Sequence, residues 1–170
     1  MRKISVCIIT KNESEKLKKC MKQLVGYGFE IVVVDTGSTD DTVAMAKKYA
    51  DKVCYFSWCN DFSAARNYAL TQASNDIIMM IDSDEYLQEI DTDELEKLLK
   101  QHPSMVGRIK IINRFSTGGQ ETECIERINR IFSRQNYEYA GSIHEQVTAR
   151  NKAEYETYLA PVVILHDGYE

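Results

Sequence analysis

Three carboxylates follow one apolar run in IIMMIDSDEYL, residues 77–87, where Ile77 to Ile81 lead straight into Asp82, Asp84 and Glu85. Like charges held this close cost stability unless a cation or a hydrogen-bonding ligand offsets them. A buried strand that simply emerges into a polar loop would give the same pattern. A clustered trio at the carboxyl end of a strand also suits a divalent metal, because ligands of open α/β sheets bind just outside that end. If the strand continues through the trio, Asp82 and Asp84 project to the same side and reach one site.

Two more polar stretches follow apolar runs in the same way. Thr10-Lys11-Asn12-Glu13 comes after Ile4–Ile9, and Asp35-Thr36-Gly37-Ser38 after Ile31–Val34. In a doubly wound sheet the carboxyl ends of parallel strands lie along one edge, so the three loops become neighbours around a ligand crevice. The first two offer hydrogen-bonding groups suited to a base and a ribose, and the third offers carboxylates suited to a metal on a pyrophosphate. GxxxxGK[ST] does not occur, and no GxGxxG follows the first strand, which argues against a P-loop NTPase and a dinucleotide fold. Metal plus nucleotide without a glycine-rich phosphate cradle points to a nucleotide sugar, whose diphosphate charge the cation mostly carries.

The elements that must position these loops alternate strand and helix over the first hundred residues. Asn12, with Glu15 three residues on, reads as the N-cap of a helix carrying Leu17, Cys20, Met21, Leu24 and Val25, stopped by Gly26 and Gly28. Ser38 or Thr39 caps a helix through Tyr49, with Asp40 and Asp41 in its first turn. A short strand at Val53–Phe56 and a helix at Phe62–Ala73 precede the Ile77–Ile81 strand. After Asp84 come a helix at Thr92–Gln101 and an antiparallel pair, Val106–Asn113 with Ile125–Phe132, joined by a loop containing Gly118-Gly119. The tail reads as short strands and loops. The expected architecture is one three-layer α/β/α domain over residues 1–170 with a mixed, mainly parallel sheet.

Composition sets outer bounds. A chain of 170 residues, 44% hydrophobic and 28% charged, can bury a core as a single domain. With 26 acidic and 21 basic side chains the net charge is -5, which gives no broad attraction to nucleic acid. No apolar run approaches the ~20 residues that span a bilayer. The start, MRKISVCIIT, reads as a first strand and not as a signal peptide, because Lys11-Asn12-Glu13 cuts the apolar run short. The five cysteines, Cys7, Cys20, Cys54, Cys59 and Cys124, show no CxxC spacing and read as reduced packing residues of a cytoplasmic protein.

The ordered series ISVCIITKNES, VVVDTGSTDDT, NDFSAARNYAL and MMIDSDEYL resembles the family 2 glycosyltransferases of the GT-A fold, a Rossmann-like α/β domain. More narrowly, DFSAARN, DSDE and the later GSIHEQV are similar to bacterial family 2 enzymes of cell-envelope and peptide glycosylation. The resemblance implies an enzyme that transfers a sugar from a nucleotide donor, with a UDP-sugar expected, inverting the anomeric carbon with the help of Mn2+ or Mg2+. It implies a glycan, lipid-linked sugar or peptide as acceptor. Peripheral association with the inner face of the membrane and a homodimer are both compatible with it. One departure is Thr36, which stands where the family's VDDGS pattern has a second aspartate. The chain is also short for the family, so a catalytic domain from a longer protein is expected, with residues 1–85 as the donor-binding half and 86–170 as the acceptor and catalytic half.

Residue roles follow from the same resemblance. Asp35 would contact the base or ribose, with Thr10, Asn12 and Glu13 lining that pocket and turn or capping chemistry as the plainer account of Asn12 and Ser38. Arg66 would face the nucleotide or anchor a carboxylate such as Asp35. Asp82-Ser83-Asp84 matches the family's DxD element, with Asp82 toward the ribose or a metal-bound water and Asp84 on the cation. His166, after a Val162–Leu165 strand, is the candidate third metal ligand; a solvated loop histidine is the alternative. Glu145 in Gly141-Ser142-Ile143-His144-Glu145 would act as the base, with His144 orienting it or touching a donor phosphate. Arg127, Arg130 and Arg134 alternate along a strand and suit either a diphosphate or an exposed strand face. Two other classes stand beside this reading. One is a nucleotide-sugar-binding domain without turnover. The other is a haloacid dehalogenase-type phosphatase, which also places DxD after a strand but favours Thr or Val where Tyr86 stands.

Overall fold

The computed structural model describes residues 3–117 and 120–167. Strand β1 (Ile4–Thr10) is buried along its whole length because helices cover both faces. Val6 and Ile8 join the cluster containing Leu17, Met21 and Leu24 of α1 (Ser14–Leu24). Cys7 and Ile9 point the other way, into the cluster containing Ala65, Ala69 and Leu70 of α3 (Phe62–Gln72). A continuous apolar strand thereby gives a three-layer sandwich.

On one side of β1 lie β2 (Glu30–Asp35) and the edge strand β3 (Lys52–Tyr55), both parallel to it; on the other lies β4 (Ile77–Asp82), also parallel. The eight-stranded sheet continues with β7 (Gln120–Ser133), β6 (Val106–Thr117), β10 (Thr157–Asp167) and β5 (Glu85–Ile90), in the order β3-β2-β1-β4-β7-β6-β10-β5. β6 and β7 form the expected antiparallel pair, longer than expected, and β10 runs parallel to β6. The sheet is therefore mixed and mainly parallel, as its α/β sequence pattern predicts. The Gly118-Gly119 loop lies outside the described residues. Helix α4 (Thr92–Gln101), capped by Asp91 Oδ1 accepting from Glu94 N at 2.9 Å, buries Leu95 and Leu99 against this second half.

Four local expectations need correction. Asn12 does not cap α1, whose N-cap is Glu13 with no side-chain cap; Asn12 takes φ 52° and spends its side chain on the neighbouring loop. The second helix shrinks to α2 (Thr42–Ala46), followed by i→i+3 turns at Lys48 and Tyr49. Local polar groups explain the missing first turn: Asp35 accepts from the N–H groups of Gly37 and Ser38, and Asp40 from that of Thr42 at 3.0 Å. They satisfy the backbone where helical turns would have formed. The strand after Ile81 does not run on through the trio. Ser83 and Asp84 make a turn, Glu85 Oε2 accepts from Asp82 N at 2.9 Å, and the chain enters the unexpected strand β5 against β10. Finally, His166 is not in a loop after a strand. It lies inside β10, opposite Glu85 on one side and Asn113 on the other.

A two-stranded hairpin, β8 (Tyr137–Ala140) with β9 (Gln146–Ala149), completes the fold. Tyr137, Tyr139 and Val147 pack it into the cluster that also contains Phe132 and α3.

Candidate active site

The carboxyl ends of β1 and β4, the last turn of β10 and the loop between β8 and β9 enclose a cleft of about 810 Å³. That volume suits a ligand with a base, a diphosphate and a sugar.

The crowded carboxylates at the end of β4 are answered first by two guanidinium groups. Asp82 Oδ1 lies 2.8 Å from Arg66 Nη2, and Asp82 Oδ2 lies 3.2 Å from Arg130 Nη2. Arg130 also reaches Glu85 Oε1 at 2.8 Å. Burial favours the neutral acid at Asp82, but the combined pull of Arg66 and Arg130 outweighs it and holds that carboxyl well below the usual carboxylate range. At Glu85 burial wins and pushes the carboxyl up, against the pull of Arg130. The arginines are not fully spent. Arg66 Nη1, Arg130 Nε, Thr10 Oγ1 and Tyr139 Oη are all buried without a hydrogen-bond partner, and all four residues line the cleft. A buried donor left unpaired costs about 1–3 kcal/mol, so a small side-chain shift that lets a ligand in the cleft accept from these groups recovers that cost.

Arg130 thus separates from its strand neighbours. It is 7% exposed and in the cleft, whereas Arg127 is exposed and Arg134 donates to the Leu70 carbonyl at 2.9 Å. The signal was present in the sequence: a charge between Ile128, Ile131 and Phe132 belongs to a buried stretch of strand.

Asp84 and His166 meet at the same cleft, with Asp84 Oδ2 3.3 Å from His166 Nε2. The hydrogen bond from His166 holds Asp84 below its ordinary value, and the same bond raises His166. Carboxylate oxygen with imidazole nitrogen is a donor set that Mn2+ accepts readily, and Mg2+ through the oxygen. Among the described residues no group of three or more His, Cys, Asp or Glu side chains forms a metal cage. The pair therefore fits a cation completed by substrate phosphates and water, and Asp82, with an arginine on each oxygen, stands beside it.

The opposite wall comes from the first two polar loops. Thr10, Glu13 and Thr36 line the cleft; Asn12 and Asp35 are not among its lining residues. Thr36 N donates to the Thr10 carbonyl at 3.0 Å, Asn12 N donates to Ser38 Oγ at 2.9 Å, and Asn12 Oδ1 accepts from Thr39 N at 2.8 Å. The loops are zipped together, which is the turn chemistry open to Asn12 and Ser38. Glu13 then accepts from the Ser83 hydroxyl and ties this wall to the Asp82–Asp84 turn. Asp35 is 4% exposed and accepts from Gly37 N and Ser38 N at 3.0 Å each. A carboxylate has about four acceptor sites, so it keeps capacity for a ligand N–H or hydroxyl.

The DFSAARN stretch has one structural task per polar residue. Asp61 Oδ1 caps α3 by accepting from Ala64 N at 3.1 Å, Ser63 donates to the Gly141 carbonyl, and Ala65 is small enough to pack flat on the sheet. Asn67 clamps the hairpin, donating to the Tyr139 carbonyl at 2.9 Å and accepting from Tyr139 N at 2.8 Å. Arg66 faces the cleft and holds Glu145 Oε1 with its Nε at 2.7 Å. Glu145 and His144 line the cleft, and the loop reaches them through Gly141, whose φ of 101° an L side chain adopts only under strain. Exposed Phe62 and Ile143 flank the mouth with Trp58, whose ring meets Phe62 edge-on at 4.8 Å. Tyr139, Trp58 and Asn113 escaped the sequence reading because nothing in their local pattern separates them from core or surface residues.

Residues 5–150 match the model of Glycosyl transferase family 2. A glycosyltransferase of Rickettsia typhi is 31% identical over 143 residues, covering 82% of this chain and 48% of its own length. Among solved structures, S. aureus TarS in complex with UDP aligns with a TM-score of 0.57 and 27% identity, over 69% of this chain and 37% of that one. Glucosyl-3-phosphoglycerate synthase from Mycobacterium tuberculosis, solved with Mn2+, UDP and glucosyl-3-phosphoglycerate, aligns with a TM-score of 0.50 and 26% identity over 69% and 45%. The chain spans about a third to a half of the length of the curated relatives it matches.

Proposed function

Because the chain belongs to glycosyl transferase family 2, we propose that its cleft takes a nucleoside diphosphate sugar, a UDP-sugar first, and moves the sugar with inversion to an acceptor. The observation that carries this is the convergence, on one cleft, of the Asp84–His166 pair, unpaired arginine donors and the Glu145 carboxylate. The UDP in one solved relative and the Mn2+ and UDP in another support the choice of donor and cation. A phosphatase with Asp82 as nucleophile falls away with the family assignment, and both Asp82 oxygens face arginines.

The nucleoside lies along Thr10, Glu13 and Thr36, with Asp35 and Asn12 ordering that wall and Asp35 offering its remaining lone pairs. Asp84 and His166 would hold Mn2+ or Mg2+, whose charge at that place offsets the departing diphosphate. Arg66 and Arg130, held beside the cleft by Asp82, supply the positive charge that the diphosphate oxygens meet, and His144 meets a donor phosphate. The acceptor nucleophile attacks the anomeric carbon as the bond to the diphosphate breaks, and its proton passes to Glu145, oriented through Oε1 by Arg66. The acceptor, a glycan, lipid-linked sugar or peptide, enters past Trp58, Phe62 and Ile143. No helix among the described residues is long and apolar enough to cross a membrane.

A thermal-shift series with UDP-sugars tests the donor site. Ligand at a hundredfold excess over Kd stabilises the folded state by ~2.7 kcal/mol, a rise of several degrees for a domain of this size. The rise should need Mn2+ and should largely vanish in Asp84→Asn. A variant that keeps the full Mn2+-dependent rise would take Asp84 out of the cation site. Asp35→Ala should weaken UDP binding by ~1.5–3 kcal/mol, the range for a hydrogen bond to a charged group. Unchanged calorimetric affinity in the folded variant removes Asp35 from the nucleoside wall.

A further inference from the structure

Behind His166 runs a chain of polar contacts that the reaction itself does not require. His166 Nδ1 is 2.9 Å from Asn113 Oδ1, and Asn113 Nδ2 is 2.9 Å from Glu126 Oε2. The three residues sit on adjacent strands. Asn113 lies directly opposite His166, and Glu126 lies two residues along β7 from Cys124, the residue opposite Asn113. Diagonal neighbours of this kind are within reach of a long side chain.

The donor and acceptor chemistry of these groups orders the chain. The Glu126 carboxylate only accepts, so the end of the Asn113 amide facing it is the NH2 group. The other end, Oδ1, also only accepts, so the proton between it and His166 belongs to Nδ1. In the protonated ring Nε2–H donates to Asp84 Oδ2, 3.3 Å away; a neutral ring that keeps its Nδ1 proton turns the Nε2 lone pair to the same place. A cation would then take the position of the Nε2 proton between two acceptors. Asn113 is 7% exposed, so little water competes for Nδ1.

We propose that Asn113, itself oriented by Glu126, is the positioning residue that fixes His166 as the Nδ1–H tautomer and turns Nε2 toward Asp84. The inference rests on reading Asp84 and His166 as the cation pair. Groups that orient a ligating histidine in this way commonly change metal affinity 10–100-fold when removed.

Nitrogen NMR of 15N-histidine protein, free of metal and at about pH 9, reads the tautomer directly. The chain has three histidines, and His166→Ala assigns the signal. The wild type should show Nδ1–H at His166. Asn113→Ala should move it toward Nε2–H, and Asn113→Asp, which keeps an acceptor oxygen, should hold it. Nε2–H in the wild type overturns the inference with no variant needed. In calorimetry with Mn2+ and UDP, Asn113→Ala should weaken Mn2+ binding ~10–100-fold. If His166→Ala weakens Mn2+ binding and Asn113→Ala does not, the positioning role is wrong. If His166→Ala leaves Mn2+ affinity unchanged, the cation pair fails by itself and the tautomer decides the rest.

Discussion

Glu145→Gln is expected to keep its affinity for a UDP-sugar and to lose sugar transfer by ~10²–10⁴, the usual cost of removing a general base. The glutamine keeps the shape and still accepts from Arg66 Nε through its carbonyl oxygen, so that contact persists as a hydrogen bond and the Arg66–Asp82 ion pair stays in place. What disappears is the group proposed to take the acceptor proton. The check is paired: calorimetry for UDP, and single-turnover transfer for the rate. A variant that transfers at the wild-type rate would remove Glu145 from the chemistry. The wild type binding donor tightly with no transfer to any acceptor would support the alternative of a binding domain without turnover.

Arg130→Met is the change with the largest expected effect on stability. It leaves buried Glu85 and one oxygen of half-buried Asp82 without their cation, and breaking a buried pair from one side typically costs ~3–5 kcal/mol. Denaturant unfolding near pH 8 should show a loss of that order, while Glu85→Gln in the same background should return part of it. The sign with pH differs between the two acids. Asp82 is held low in the folded state, so its contribution is complete above the ordinary carboxylate range and is lost as pH falls through its lowered value. Glu85 is pushed up by burial, so it disfavours the folded state increasingly as pH rises past its unfolded value. The deficit of Arg130→Met should therefore be smaller at pH 5 than at pH 8. A loss below about 1 kcal/mol at pH 8 would mean that water, not Arg130, solvates these carboxylates.

How much of this was legible beforehand depends on the range of the interaction. Strands such as Ile4–Thr10 and Ile31–Val34 announce themselves because burial on both faces demands a continuous apolar run. The three polar strand ends declare their convergence for the same reason, since parallel strands share an edge. Strand β5 was not readable: Glu85 is buried as the partner of Arg130, a contact across 45 residues, and a charged residue at a strand start looks like loop. Whether the strand continues through Asp82–Asp84 was open in the sequence, because the turn depends on Glu85 folding back to the Asp82 amide. The short α2 is a local failure. Asp40, which looks like a first-turn helix residue, holds the Thr42 N–H instead, and Asp35 at the strand end holds that of Ser38. Arg66 was expected to face the nucleotide or anchor a carboxylate such as Asp35; it anchors Asp82 and Glu145, two carboxylates brought from elsewhere in the chain.

The central claim is that a cation and a nucleoside diphosphate meet at the end of β4, against β10. Paramagnetic broadening by Mn2+ places them directly, using backbone amide NMR with UDP present and substoichiometric Mn2+. Signals of Ser83, Asp84, Glu85 and His166 should disappear first, and Glu13 should follow. Tyr158, at the far end of β10 and stacked on His102, is eight residues from His166 and so roughly 25 Å away at the strand rise, and the signals of both should persist. Both effects should vanish when Asp84→Asn replaces the wild type. Broadening that spares Asp84 and His166, or that is the same in the variant, would contradict the account.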